Sequence, residues 1–400
     1  MVSFSSARTL LLKPSNFIES LIHKLPRFYI SCVTLVAIFG YAFVLLFPLL
    51  VLAGLLNIYT ELVVSDVTDW QAALTWLVIV LVAALISYRS TQIKLKPPVG
   101  LTLTEAKAPG LFKLVQQHRS YYKRPTIHRI VITEQYELDI VKTPMWALPV
   151  WSTNTMIIGL PVMQCLSPEQ FECMVARRIG QFSKRYNPVT NWLYQLRSIW
   201  QQYRVSYNQQ KGFGIEPLKW FYSVYAPMYS MLSVYAARQD ELNADTYAME
   251  LFNDKDVLEM ITADALCRWY LHNQYWPAVV KIASIETKSL PTPHTKMSSA
   301  VRAIKNGEQL DKLIDNAYRE QPLTRNATPS LQDRISNIGH QKPCMGKGTS
   351  ENAAVFYLGA SVKGVVDIVD KLWLKSFLEQ RKRQRHQGQV KPEPKQVTSN

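Results

Sequence analysis

Histidine and cysteine, the side chains that most often hold metals or cross-link small folds, are scarce here: seven histidines and five cysteines in 400 residues. The cysteines (Cys32, Cys165, Cys173, Cys267 and Cys344) are odd in number, widely spaced and free of any C-x-x-C pair. That excludes a fully paired disulfide framework, gives no sign of a cysteine zinc site and suits a reducing cytoplasm. His118, His128, His272, His294 and His340 stand apart with no i, i+4 pair among them, so they read as surface or hydrogen-bonded structural residues. Acidic side chains are also short, 30 against 45 Lys and Arg, a formal charge of +15. The basic residues are spread along the chain except for one dense run, Arg381, Lys382, Arg383 and Arg385. Without a recognised nucleic-acid motif, no nucleic-acid partner is expected. The run is either a solvated tail or a contact with anionic lipid headgroups.

Charge is missing altogether from two stretches, residues 28–57 and 70–88. Each is long enough to cross a hydrocarbon layer of about 30 Å, the first with a candidate kink at Pro48. A cleaved signal peptide would have a shorter apolar core and a small-residue cleavage site. Arg8, Lys13, Lys24 and Arg27 precede the first stretch, Arg89, Lys94 and Lys96 follow the second, and Glu61, Asp66 and Asp69 lie between them. The positive-inside rule then predicts an integral membrane protein with both termini and the main domain cytoplasmic, and the lipid bilayer as its first partner.

Three regions are expected: a membrane anchor over 1–97, a main domain over 98–345, and an amphipathic helix with a basic, disordered tail over 346–400. In the main domain "APGLFKLVQQHRSYY" reads as helix and "IHRIVIT" (127–133) as strand. "NTMIIGLPVMQCL" (154–166) reads as a second strand ending at Gly159 or Pro161. A helix then opens with Ser167 as N-cap and Pro168 at its first position. The aromatic run 220–237, broken by Pro227, reads as a buried or membrane-grazing helix, and 286–350 as mostly loop apart from pieces such as "LDKLIDNAYRE". Residues 362–380 are amphipathic, with Val365, Val369, Leu372 and Trp373 on one side.

On a wheel of 100° per residue the helix after Ser167 gathers Phe171, Met174, Val175, Ile179 and Phe182 in one apolar arc. Arg178 falls inside that arc, and Arg177 and Gln181 lie together at its edge. A guanidinium directed into a domain needs a carboxylate or several acceptors to meet it, an acidic partner first among them, because an unpaired buried charge costs several kcal/mol.

The run "IIGLPVMQCLSPEQFECMVARRIGQFSKRY" (157–186) resembles the signature helix of metallopeptidase family 48, the HtpX-like integral-membrane zinc endopeptidases, in which a strand, a "GLP" turn and "LS-x-E" lead into H-E-x-G-H. "YAARQDELNADTYAMEL" (235–251) is similar to the family's R-x-x-E-[FY]-x-A-D-x-x-A element, and "ATPSLQDRISNI" (327–338) to its T-H-P-x-x-x-R-I-x-x-L element. The resemblance implies a mostly α fold with a small β-sheet (α+β), in which two N-terminal transmembrane helices precede a zincin-like metallopeptidase domain. It also implies a bacterial inner-membrane location. In active members two histidines and a downstream glutamate hold zinc, and the glutamate beside the first histidine polarises water.

Carried over by position, Arg177 and Gln181 stand where the histidine ligands would be and Arg178 where the base would be. Glu241 keeps the third-ligand position, Asp245 keeps a supporting carboxylate, and Thr328 replaces the histidine of the third element. Arginine has no lone pair to offer a metal and a glutamine oxygen is a poor zinc ligand. No metal, cofactor or catalytic residue is therefore expected. The expected arrangement is a charge pair in which Arg177 or Arg178 reaches Glu241 or Asp245. The leading expectation is a pseudopeptidase that binds or scaffolds unfolded or membrane protein segments in quality control. The alternatives are an active endopeptidase with an atypical site and a non-enzymatic membrane-surface assembly factor.

Overall fold

Pro26 stands in the first turn of α1 (Pro26–Tyr59), where its missing N–H leaves no bond unmade. The helix continues through a π-helical turn, Thr60–Val64, so it outruns the uncharged stretch at both ends. Asp69 caps α2 (Trp70–Thr91) by accepting hydrogen bonds from the amides of Gln71 and Ala72, and Arg89 lies in the last turn; both placements suit the helix dipole. Both helices are long and apolar enough to cross a membrane. The computed structural model describes residues 25–386 except 66–68, 94, 96, 124, 146–147, 184–187, 286–290, 322–326 and 347–350. Arg8, Lys13, Lys24, Asp66, Lys94, Lys96 and the tail from residue 387 lie outside the described residues.

The remainder is mostly helical around one small sheet. β1 (Leu101–Thr102) is followed by α3 (Pro109–Tyr122), β2 (Arg129–Thr133), β3 (Leu138–Met145) and β4 (Leu148–Gly159). The strand order is β1-β2-β4-β3, with β2 parallel to β4 and both outer pairings antiparallel. β2 buries Ile130, Val131, Ile132 and Thr133 in succession, as a strand covered on both faces does. Sequence reading had β4 starting at 154 and left β3 out. Lys142 and Pro144 interrupt its apolar alternation, and a register shift sits at Pro144 and Met145.

A short helix α4 (Leu160–Cys165) leads into α5 (Pro168–Phe182), which opens on a capping box between Ser167 and Gln170. Then come α6 (Pro188–Gln209), α7 (Glu216–Leu232), α8 (Val234–Ala248), α9 (Asp254–Tyr270) and α10 (Trp276–Ile285). The run 220–237 is thus two helices that meet at Ser233. Residues 286–350 hold more helix than expected: α11 (Pro293–Lys305), α12 (Leu310–Arg319) and α13 (Leu331–Asn337). Their many Pro, Ser and Asn residues are start signals here; Pro293 opens α11 and Ser330 caps α13.

α14 (Ala353–Leu358) and α15 (Val362–His386) complete the chain. Ala353, Ala354, Leu358, Val365 and Val369 belong to the same buried core as the sheet and α5. Asp370 on α15 also accepts bonds from the backbone N–H of His294 (2.8 Å) and the Thr295 hydroxyl (2.7 Å) at the start of α11. Arg381, Lys382, Arg383 and Arg385 fall on the last turns of α15.

A second, aromatic core joins α1 to α6 and α7. Tyr29, Val33 and Ala37 pack with Trp200, Tyr203, Tyr222, Tyr225 and Tyr229. α1 and α7 run antiparallel: the Tyr225 hydroxyl donates to Val36 O (2.7 Å), and Phe43 stacks on Phe221 with centroids 3.6 Å apart.

Candidate functional site

α5 and α8 cross closely enough for their side chains to interlock because Gly180 has no Cβ. A Cβ there would lie 3.0 Å from the Tyr122 ring and 3.1 Å from Tyr247 Cβ. That approach brings the two arginines of α5 to the carboxylates of α8.

Arg177 lies deepest. Its Nε donates to Asp245 Oδ1 at 2.6 Å, and its Nη2 donates to Glu241 Oε2 at 2.7 Å and to the Glu241 carbonyl at 2.9 Å. Arg178 Nη1 donates to the other Glu241 oxygen (2.9 Å) and to Gln181 Oε1 (2.6 Å), and it stands 3.8 Å from Asp139 on β3. Gln181 Nε2 donates to Asp240 Oδ2 at 2.8 Å. The side chains of Arg177, Arg178 and Glu241 are 5%, 12% and 8% exposed, so this is an interior cluster.

Two further residues complete it, and sequence reading missed both. Arg334 on α13 forks onto Asp245, from Nε to Oδ2 (2.9 Å) and from Nη2 to Oδ1 (2.8 Å), and its Nη1 donates to Asp264 (3.0 Å). Arg268 donates to the other oxygen of Asp264 at 3.2 Å. The only available signal for Arg334 was its place in "LQDRISN". Thr328, which precedes α13, is exposed.

Four guanidiniums thus meet four carboxyl groups, Asp139, Glu241, Asp245 and Asp264, and Gln181 links a fifth, Asp240, to the cluster. The electrostatics sort the acids by partner. Burial works to raise the Glu241 carboxyl, but the guanidiniums of Arg178 and Arg177 reverse this and hold it well below the usual carboxylate range. Asp264 follows the same logic: burial raises it, and Arg268 and Arg334 bring it below its ordinary value. Burial wins at Asp139, raising it against Arg178. It wins more clearly at Asp240, whose carboxyl is lifted from 3.8 to about 7 despite the Gln181 hydrogen bond. Protonating Asp240 leaves the four cations facing four anions, a balance that a low-dielectric interior favours.

Zinc does not fit this donor set. Glu241 is enclosed by two guanidiniums and an amide, and a guanidinium has no lone pair to give a metal. Among the described residues no three His, Cys, Asp or Glu side chains form a group that could hold a metal ion. A cavity of about 720 Å³ lies elsewhere, bounded by Gln164, Ser167, Glu172, Asp256 and Lys305, and none of the clustered residues lines it. No family model, no curated protein and no solved structure matches the chain.

Proposed function

We propose that the chain is a membrane-anchored pseudopeptidase: a zincin-like frame, resembling the HtpX-like family, whose metal centre has been replaced by a buried guanidinium–carboxylate network. It holds segments of unfolded or membrane proteins without cutting them, in a quality-control role on the cytoplasmic face of a bacterial inner membrane. The observation that carries this reading is Arg177, which joins Glu241 and Asp245 at 2.6–2.9 Å from the position of the first zinc ligand. A cation fixed there does by hydrogen bonding what a metal does by coordination, drawing the two helices together. It cannot polarise water, and Arg178 in the base position cannot accept a proton.

A binding role draws support from an apolar face of α1 and α7. Val224, Met228 and Met231 recur at helical spacing and are exposed, and Leu35 and Phe39 beside them are 66% and 57% exposed. Methionine-rich faces adapt to varied apolar partners.

The test is proteolysis by the purified full chain. Casein and other unfolded substrates are expected to stay intact with or without added zinc. Chelator-sensitive cleavage that disappears in Glu241→Gln would instead establish a working hydrolase.

A further inference from the structure

The loop between α6 and α7, "KGFGIE" (211–216), returns from the main domain to the end of α2. Gly214, at φ +85°, packs against Leu85, whose Cγ would lie 3.1 Å from a Cβ there; Gly212, at φ +134°, faces the Arg89 guanidinium. Both glycines hold left-handed backbone that a side chain would strain, and between them Phe213 projects outward, 83% exposed. Trp220, on the first turns of α7, is 71% exposed and Tyr88 on α2 is 61% exposed.

The helix registers set the level of this loop. Gly54 of α1 lies against Val80 of α2, and Phe43 of α1 against Phe221 of α7. Since both partners run antiparallel to α1, Arg89 and the start of α7 stand at about the same height, near the middle of α1. On the other side, Trp70 and Tyr59 are 72% and 57% exposed. From Trp70 to Tyr88 the rise is about 27 Å at 1.5 Å per residue, close to one hydrocarbon layer of about 30 Å. Exposed aromatics at both ends of such a layer mark its interfaces. The basic residues fit the same level: Arg89, Lys211 and Lys219 sit at the Phe213 end, and the Arg89 Nε is buried without a hydrogen-bond partner. Glu216 is the nearby acid, 3.9 Å from Lys219 and 71% exposed.

We infer that the α6–α7 loop is a second membrane contact, which inserts Phe213 and Trp220 into the bilayer interface and offers Arg89, Lys211 and Lys219 to anionic phospholipid headgroups. The hydrocarbon then covers only the second half of α1, alongside α2. The first half stands outside it, with Tyr29, Val33 and Ala37 packed on the aromatic faces of α6 and α7 and Leu35 and Phe39 exposed on another face. The main domain is thereby held at a fixed tilt to the membrane.

This inference rests on α1 and α2 spanning the bilayer, and one experiment separates the two claims. The full chain is placed in nanodiscs of phosphatidylcholine, or of phosphatidylcholine with phosphatidylglycerol, each doped with a phospholipid carrying a diazirine near its glycerol. Adducts are then mapped by mass spectrometry. The expected result is adducts on 211–220 as well as on the ends of α2, enriched by phosphatidylglycerol. Phe213→Ser with Trp220→Ser should remove the loop adducts and leave those on α2. Arg89→Gln with Lys211→Gln and Lys219→Gln should abolish the phosphatidylglycerol enrichment. Wild-type adducts on α1 and α2 with none on 211–220 would overturn the loop contact alone, and equal labelling in both lipids would overturn the headgroup site. No adducts on any of these segments would overturn the spanning helices too.

Discussion

At Glu241 three donors converge on one carboxylate; without it Arg177 would keep Asp245, while Arg178 would keep only Gln181, the Tyr194 hydroxyl and the more distant Asp139. Glu241→Ala should therefore cost about 3–5 kcal/mol, the cost of breaking a buried pair, read from urea unfolding in detergent. An unchanged midpoint would mean that the arginines find other acceptors. Asp240 should behave in the opposite way. Its folded pKa is raised from 3.8 to about 7, so the folded state holds a proton that the unfolded state gives up. Its contribution to stability is full below about pH 4 and is lost as pH rises through about 7. Asp240→Asn should remove that loss, so the variant gains on the wild type between pH 5 and pH 8. Glu241 and Asp264 have depressed pKa values, and their contribution fades as pH falls below the ordinary carboxylate range. Of the arginines, the helical wheel directed Arg178 inward, while Arg177, at the edge of the arc, is the more buried. A wheel treats one helix alone, and α8 packs over that edge. Arg334 was illegible for a related reason, since its partners Asp245 and Asp264 lie 89 and 70 residues away.

At the scale of elements, the account is that α5 and α8 form a preset frame joined by charge. The frame owes its closeness to Gly180 and its depth to the apolar arc of α5, a buried core to which residues 177, 178 and 181 do not belong. Replacing Arg177, Arg178 and Gln181 together with His, Glu and His should then create a zinc site that uses Glu241, without unfolding the domain. Helical circular dichroism together with zinc titration would check this, and a folded variant that ignores zinc would refute the preset frame. α5, with its Ser167 cap and apolar periodicity, and α3, which opens on Pro109, were readable from sequence. β3 was not, because Lys142 and Pro144 interrupt its alternation. The helical content of 286–350 was also hidden, because its Pro and Ser residues serve both as loop formers and as helix starters.

At the scale of the whole molecule, side chains from beyond the boundary expected at residue 346 pack into the core of the main domain. α14 and α15 complete the main core, and Asp370 holds the start of α11. The tail pattern of charge and amphipathicity gave no sign of this, because the helix face that packs inward has the same period as one that lies on a surface. The two apolar helices were evident from charge alone. Their orientation is testable by a reporter fused after residue 100, expected to be active only in the cytoplasm; activity only outside it would reverse the topology. The central claim, that a guanidinium network does the work of a metal, is tested most directly by metal analysis of the purified chain together with its thermal unfolding with and without a chelator. The account predicts zinc far below one per chain and the same Tm in both conditions. One zinc per chain, removed by the chelator with a fall in Tm, would contradict it.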